Sequence, residues 1–390
     1  MSELGEETVP AMNCRSRAAA LERYAPLERL SVHTCDSQHS PFYLHESDRP
    51  KSATYSDRCS GVRRRTLIAL SGGTVLVVSG LGVAQGQAAP RRIGFISAFT
   101  RATADLLLGV LKPELEKLGW TEGRNLVLLE PRTAEGANER LPALAAGLVA
   151  QSPDLILVQS VPATRALVQA TKAIPIVMVG VATPVELGIV ADYRRPGANV
   201  TGTSYFADEL LRKSLQFLKE VAPGLNSVAV FANPTNEATP AMVKQMRADA
   251  IALGMQAQIV EVSSRGDFES AFAAIRAANT KSILLPPEAL VQANREAIAG
   301  FAQAQRLPLA MVGSSRVLPA AGLFAYGTDL LEFAQVTAKF VDRILKGANP
   351  GDLPIEQPKR FSLIVNLKVA RALGLTIPQS MLLAADEVIQ

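Results

Sequence analysis

Residues 227–262 read SVAVFANPTNEATPAMVKQMRADAIALGMQAQIVEV, and this stretch decides the fold class. The run 227–232 is apolar on both of its faces, which is typical of a parallel strand covered by helices on both sides of its sheet. An amphipathic segment follows at 239–253, and a second apolar run begins at Gln256. A strand, a helix and a second strand in this order form the basic unit of an α/β fold.

The same unit repeats along most of the chain. The apolar runs predict strands at 92–97, 125–130, 155–159, 176–181, 227–232, 256–262, 282–286 and 309–313. The amphipathic segments predict helices at 102–118, 138–150, 162–171, 209–221, 239–253, 267–277 and 291–304. This alternation predicts an α/β protein with doubly wound, Rossmann-like sheets.

The alternation breaks at two places. A turn-rich segment at 195–202 leads into residues 203–206, and a short apolar strand at 323–329 is followed by a helix at 331–346. We therefore expect a first lobe at 89–203, completed by residues 328–390, and a second lobe at 204–327. Two lobes joined by crossing strands form a hinge.

Residues 62–88 have the pattern of a secretory signal peptide. Arg63, Arg64 and Arg65 precede an uncharged apolar stretch, and the small residues Ala88 and Ala89 offer a cleavage site. A transmembrane anchor is the alternative, but about 18 residues interrupted by glycines barely span a bilayer of about 30 Å. We expect export to the periplasm, by either the general or the twin-arginine route.

Residues 1–61 contain all three cysteines and all three histidines of the chain. We expect this stretch to be either a disordered leader or a mis-called start, with Val62 as the true initiation position. A Cys/His metal module is the alternative, but the spacing of Cys14, Cys35 and Cys59 matches no paired C-x-x-C pattern. The sequence therefore predicts no metal and no cofactor.

The composition also argues against several functional classes. The net charge is +4 over 390 residues, and no basic run follows Arg65, so we expect no nucleic-acid partner. Without His or Cys after residue 60, a Ser-His-Asp triad, a Cys-His pair and His-containing zinc sites are excluded from the rest of the chain. We expect a protein that is not an enzyme; a carboxylate-based or Ser-Lys mechanism stays open.

Candidate ligand-binding residues lie where the predicted strands end. In open α/β sheets, ligands bind outside the carboxyl ends of the strands, beside helix N-termini with free N–H groups. The candidates are Ser97, Ala98, Ser160, Pro162, Ala163 and Thr183 in the first lobe, Asn233, Pro286 and Ser314 in the second, and Tyr205 and Tyr326 on the crossings.

Hydroxyl and N–H groups at such positions suit a carboxylate. For Ser160 and Thr183 the alternative is a role as helix caps, for Asn233 a turn, and for the two tyrosines core or hinge packing.

Three short motifs carry a resemblance to a known family. Residues 194–202 read RRPGANVTG, residues 139–145 read ERLPALA, and the tail contains NLK at 366–368 and ALGLTIP at 372–378. Over 91–388 the chain resembles the substrate-binding proteins of ABC transporters that are related to the tryptophan and tyrosine binders. The resemblance implies a type I periplasmic binding fold, a small-molecule ligand between two lobes, and delivery to an ABC transporter permease in the inner membrane. We also expect a monomer.

One residue departs from the pattern of the family. Many relatives carry Asp before the Pro-Val that follows the fourth strand, whereas this chain has Thr183. A missing carboxylate weakens recognition of an α-ammonium group, because a buried cation needs a paired charge. Glu186, Asp208 and Glu288 are the candidates to replace it. An amino acid, possibly aromatic, or a small carboxylate is therefore only the default ligand, and a ligand-sensing receptor core and an exported α/β enzyme remain alternatives.

Overall fold

The computed structural model describes residues 89–313 and 321–390. The predicted leader at 1–61, the predicted signal peptide at 62–88 and the candidate Ser314 lie outside the described residues. Among the helices that are described, none has the length and hydropathy needed to cross a membrane.

The first sheet is entirely parallel. Its strand order is β2-β1-β4-β5-β6, with the short β3 paired to the far end of β1. The strands are β1 (Arg91–Ser97), β2 (Leu126–Leu128), β3 (Arg132–Thr133), β4 (Leu155–Gln159), β5 (Ile176–Ala182) and β6 (Val200–Tyr205).

The second sheet has the order β13-β12-β11-β10-β9-β7-β8. Its strands are parallel except where β12 pairs antiparallel with β11. The strands are β7 (Ser227–Ala232), β8 (Gln256–Glu261), β9 (Ile283–Leu285), β10 (Leu309–Val312), β11 (Phe324–Thr328), β12 (Phe361–Asn366) and β13 (Glu387–Ile389).

Helices cover both faces of each sheet. The α-helices are α1 (Arg101–Lys117), α2 (Leu141–Val149), α3 (Val161–Ala170), α4 (Ala207–Val221), α5 (Thr239–Ala252), α6 (Phe268–Ala277), α7 (Ala289–Ala293), α8 (Arg295–Ala304), α9 (Leu330–Leu345), α10 (Leu367–Leu373) and α11 (Gln379–Ala384). Helices α1 and α9 pack in one cluster with the first sheet, and α2 and α3 pack in another. Helices α4, α5, α10 and α11 share a cluster with the second sheet, and α6 and α8 share the other. The predicted α/β fold with two doubly wound lobes is confirmed.

The strand predictions agree closely with the structure. The runs at 155–159 and 227–232 coincide with β4 and β7. Strand β3, only two residues long, was not expected from the pattern. These strands bring the residues after Gln159 and Ala232 to the carboxyl ends of their sheets.

The chain passes between the lobes three times rather than twice. It leaves the first sheet after Tyr205, returns after Thr328, and crosses again between a bridge at Glu356 and the start of β12. Helix α9 packs on the first lobe, as predicted for the tail. The prediction that residues 328–390 complete the first lobe is wrong for 361–389, because β12 and β13 join the second sheet, where Phe324 pairs with Val365.

Gly202 allows strand β6 to lie against β5. Its φ is +128°, and a Cβ built there lies 2.2 Å from the oxygen and 2.4 Å from the nitrogen of Met178. The pairing of the two strands also changes register after Met178. Since both obstructing atoms belong to the backbone, the strands themselves would have to move.

We expect Gly202→Ala to lower the free energy of unfolding by about 2 to 4 kcal/mol, because it combines backbone strain with a clash inside the sheet. Denaturant unfolding of the purified protein measures this change. Gly109→Ala is the control: it lies on α1, meets no atom within 4 Å, and should raise stability by about 0.5 to 1 kcal/mol. Equal stability of Gly202→Ala and the wild type would contradict the expectation.

Candidate ligand-binding site

Two adjoining cavities lie at the carboxyl ends of the strands, between the lobes. Their volumes are about 100 Å³ and about 80 Å³. Both are lined by Phe99, Gly180, Tyr205 and Pro287. Residues of both lobes line each cavity, and the four shared residues make the two cavities neighbours in one cleft.

The larger cavity, which we call the apolar cavity, is lined mostly by hydrocarbon. Besides the four shared residues, its walls are Thr103, Leu106, Leu107, Gln159, Val179, Leu210, Gln292, Val312, Gly313, Thr328, Leu330 and Phe333. Gly180 makes room for the Phe333 ring, since a Cβ at Gly180 would lie 3.0 Å from its Cζ.

The smaller cavity, which we call the polar cavity, carries most of the hydrogen-bonding groups. Besides the shared residues, it is lined by Ser160, Val161, Pro162, Ala182, Thr183, Ala207, Asp208, Asn236, Ala238, Thr239, Ala241, Met242, Pro286, Glu288 and Ala289. Thus Ser160, Pro162, Thr183, Tyr205 and Pro286, all predicted from the sequence, line this cavity.

Ser160 both lines the polar cavity and caps a helix. Its Oγ accepts a hydrogen bond from the backbone N–H of Ala163 at 3.3 Å at the start of α3. Its φ of 91° is unusual for a residue with a side chain. A strained residue at the edge of a cleft is typical of a functional position.

Thr183 also has a left-handed backbone, with a φ of 44°. Its carbonyl oxygen accepts a hydrogen bond from Leu187 at 3.1 Å. Its hydroxyl makes no hydrogen bond to any described residue and remains available in the polar cavity.

Tyr205 ends strand β6 at the first crossing and lines both cavities. Burial, assisted by the nearby carboxylate of Asp208, raises the pKa of its phenol. The ring is therefore neutral at physiological pH and presents an uncharged face to both cavities.

Three of the predicted residues in the first lobe lie beneath the cavities. Ser97 is fully buried and donates a hydrogen bond to Gln159 Oε1 at 3.2 Å while accepting one from the N–H of Phe99 at 3.0 Å. The carbonyl of Ala98 accepts from Gly136, and the N–H of Ala163 donates to Ser160. These groups position the residues that line the cavities rather than line them.

Asn233 is likewise buried below the cleft. Its Nδ2 donates to Glu288 Oε1 at 3.0 Å, and its Oδ1 accepts from the backbone and the hydroxyl of Thr235. Tyr326 packs edge to face on Phe217, with ring centroids 5.4 Å apart. Neither residue lines a cavity.

The three candidate carboxylates have different surroundings. Glu186 accepts a hydrogen bond from the hydroxyl of Tyr193 and lies outside both cavities. Glu288 is 4% exposed and caps α7 by accepting from the N–H of Val291 at 3.0 Å. Burial raises the pKa of Glu288, although these hydrogen bonds oppose the rise.

The polar cavity contains two carboxylates, and Asp208 is the one whose oxygens accept no hydrogen bond from the described protein. Burial and the neighbouring Asp249 raise its pKa, while Arg212 lowers it. A partly buried, unpaired carboxylate in a cavity suits an ammonium group.

Sequence reasoning missed several residues that line the cleft, among them Phe99, Gln159, Gln292 and Phe333. Phe99 and Gln159 adjoin the predicted positions at the strand ends, so the topology rule could have included them. Gln292 and Phe333 lie on helices of different lobes, and only the packing of the two lobes brings them together.

The two lobes contact each other at the edge of the cleft. Arg165 donates to both carboxylate oxygens of Glu237, with Nε–Oε1 and Nη2–Oε2 distances of 2.9 and 3.0 Å. Asn138 Nδ2 donates to Thr235 Oγ1 at 3.0 Å. We call these two pairs the interlobe latch.

Gly136 permits a close backbone approach between the lobes. A Cβ at Gly136 would lie 2.8 Å from the Cα of Leu290 in α7. Any side chain at position 136 therefore pushes the lobes apart.

We expect Gly136→Ala to increase the radius of gyration, because the lobes cannot close against each other. Small-angle X-ray scattering of the purified protein measures the change. Gly123→Ala is the matched control, since it has a similar φ of +80° but no atom within 4 Å of the added Cβ. Arg165→Gln should shift the equilibrium between the open and closed arrangements of the lobes by less, about fivefold at most. The same radius for Gly136→Ala and Gly123→Ala would show that this contact does not limit closure.

Comparison with known proteins identifies the family of the chain. A curated tyrosine-binding protein of Clostridioides difficile (strain R20291) is 24% identical over 261 residues, which are 67% of this chain and 74% of the relative. The crystal structure of an ABC domain from Streptococcus pneumonia in complex with L-Trp has a TM-score of 0.68 at 23% identity, covering 76% of this chain and 100% of that one. The conserved domain protein of Vibrio cholerae has a TM-score of 0.69 at 26% identity, covering 76% and 99%.

These structures share the two-lobed fold. The model of one family, described as ABC transporter substrate binding protein, matches residues 101–389. This match covers the second sheet, the first sheet except β1, the cavity walls except Phe99, and the interlobe latch, and the chain belongs to the ABC transporter substrate binding protein family.

Proposed function

We propose that this protein is exported and binds an amino acid with an apolar, by default aromatic, side chain between its lobes. It then delivers the amino acid to an ABC permease. The observation that carries the proposal is the pairing of an apolar cavity with a polar cavity in one cleft. The tyrosine-binding relative supports the same ligand class.

Asp208 is the proposed partner of the ligand ammonium. It lies in the polar cavity, and its carboxylate makes no hydrogen bond to a described residue. It takes the place of the carboxylate that many relatives carry where this chain has Thr183. Glu288, the other carboxylate of this cavity, already accepts hydrogen bonds from Asn233 and Val291.

Ser160 and Thr183 are the proposed partners of the ligand carboxylate. Both line the polar cavity beside the first turn of α3, where the positive end of the helix dipole favours an anion. The side chain of the ligand then extends into the apolar cavity, past Tyr205 and Phe99, which line both cavities.

Export and transport complete the proposal. The three arginines at 63–65, the apolar stretch and the small residues that follow it support secretion to the periplasm, where we propose that the protein is a monomer. Family membership supports an inner-membrane permease as the partner. A thermal-shift screen of the twenty amino acids and small carboxylates tests the ligand class. Ligand at about 100 times its dissociation constant should stabilise the protein by about 2.7 kcal/mol.

We expect Asp208→Asn to weaken binding of L-tyrosine about tenfold to a hundredfold, because a hydrogen bond to a charged group contributes about 1.5 to 3 kcal/mol. Isothermal titration calorimetry measures the affinity. Glu296→Gln is the control, since this exposed carboxylate on α8 lines neither cavity. If the two variants bind equally well, Asp208 does not hold the ammonium.

The proposed pair of the Asp208 carboxylate and the ligand ammonium also predicts the pH dependence of binding. Only the ionised carboxylate pairs with an ammonium, so affinity should be constant above the pKa of Asp208 and fall as the pH drops through it. Because that pKa is raised, the loss should begin at a higher pH than for an ordinary Asp, whose pKa is about 3.9. The loss should be smaller in Asp208→Asn, where only Glu288 still titrates in the polar cavity.

We expect Thr183→Val to weaken binding about twofold to tenfold at unchanged stability, because its hydroxyl has no partner within the described protein. Ser160→Ala should lower both affinity and stability, since it also removes a helix cap worth about 0.5 to 2 kcal/mol. Calorimetry and denaturant unfolding separate the two effects. Loss of stability without loss of affinity in Ser160→Ala would assign that residue a capping role alone.

A further inference from the structure

Besides the phenol of Tyr205, which lines both cavities, three polar side chains in the apolar cavity have hydrogen-bonding groups that the described protein leaves without a partner. They are Gln159, Gln292 and Thr328. The other polar side chain of this cavity, Thr103, hydrogen bonds through its hydroxyl to Thr100. None of the three groups is enclosed by the described protein, so they open onto the cavity and are available to a ligand.

The orientation of the Gln159 amide follows from its buried neighbour. The Oγ of Ser97 accepts a hydrogen bond from Phe99, so its own proton needs an acceptor, and Gln159 Oε1 lies 3.2 Å away. The reversed amide would leave that proton without an acceptor in a fully buried site. Gln159 therefore keeps its carbonyl on Ser97 and retains a free NH₂ group.

Gln292 presents the opposite group from the other lobe. Its Nε2 donates to the carbonyl of Pro286 at 3.2 Å, which leaves Oε1 as a free acceptor. The residue is only 6% exposed. Thr328, at the end of β11 and 5% exposed, adds a free hydroxyl that can donate or accept.

We propose that the apolar cavity is a subsite for a side chain that ends in a hydroxyl group, with Gln159 as donor, Gln292 as acceptor and Thr328 as a further partner. This inference rests on the proposed function, because it takes the apolar cavity as the place of the ligand side chain. A hydroxyl donates and accepts at once, so it pairs with both amides, whereas a phenyl ring leaves both unpaired. The site therefore selects L-tyrosine over L-phenylalanine.

The experiment compares two pairs of probes that differ only by this hydroxyl. The first pair is L-tyrosine and L-phenylalanine; the second, without the amino group, is 3-(4-hydroxyphenyl)propionate and 3-phenylpropionate. Calorimetry with the full protein should show at least about tenfold tighter binding of the hydroxylated member, because the unpaired amides penalise the other one.

Two variants assign the preference to the proposed groups. Gln292→Met should reduce the preference for the hydroxyl about tenfold by weakening the hydroxylated probe alone. The Pro286 carbonyl keeps its second donor, the N–H of Glu288 at 2.8 Å. Thr328→Val should act in the same direction with a smaller effect. Gln303→Met, at an exposed position of α8, is the matched control and should leave the preference unchanged.

The outcomes separate this inference from the proposed function. A hydroxyl preference in the propionates with no binding of either amino acid would support the subsite and overturn the amino-acid proposal. Binding of both amino acids with equal affinity would overturn the subsite and leave the amino-acid proposal standing. Absence of binding by all four probes, or a preference that Gln292→Met leaves intact, would also overturn the subsite.

Discussion

Burial of both faces of two parallel sheets is the constraint on which the site depends. Strands such as β4 and β7 are apolar on both sides and are covered by helices. Polar groups are therefore concentrated at the ends of the strands, and the helices that follow begin at the carboxyl ends. Because the two sheets face each other with these ends, the hydroxyls, amides and carboxylates of both lobes meet in one cleft.

The ion pair of the interlobe latch is too weak to hold the cleft shut alone. Arg165 and Glu237 are 30% and 38% exposed, and a pair of this kind contributes about 0 to 1 kcal/mol. To move an equilibrium from 1:99 to 99:1 takes about 5.5 kcal/mol. The interlobe latch therefore only adjusts the balance, and in the proposed complex the contacts of a ligand with both lobes would add to the free energy of closure. A weak latch also allows release.

The sequence predicted those features of the fold and the site that depend on the hydrophobic pattern of a short segment. Strand β4 follows from its apolar run, and the place of Ser160 follows from the end of that strand. Strand β12 was missed because its antiparallel partner depends on the return of the chain after α9. Ser97 and Asn233 stand at the right strand ends, but their hydrogen bonds to Gln159 and Glu288 place them one layer below the cavities, and such partners are visible only in the folded protein.

The polar cavity also connects stability to binding. Burial raises the pKa of Asp208 above its usual value, so the ionised form costs the folded protein free energy at neutral pH. In the proposed complex the ligand ammonium supplies the missing charge and lowers that pKa again. The free amide groups of Gln159 and Gln292 would likewise find partners in the proposed complex. Groups that weaken the free protein would thus strengthen the complex, which favours a cleft that closes only on a ligand matching both cavities.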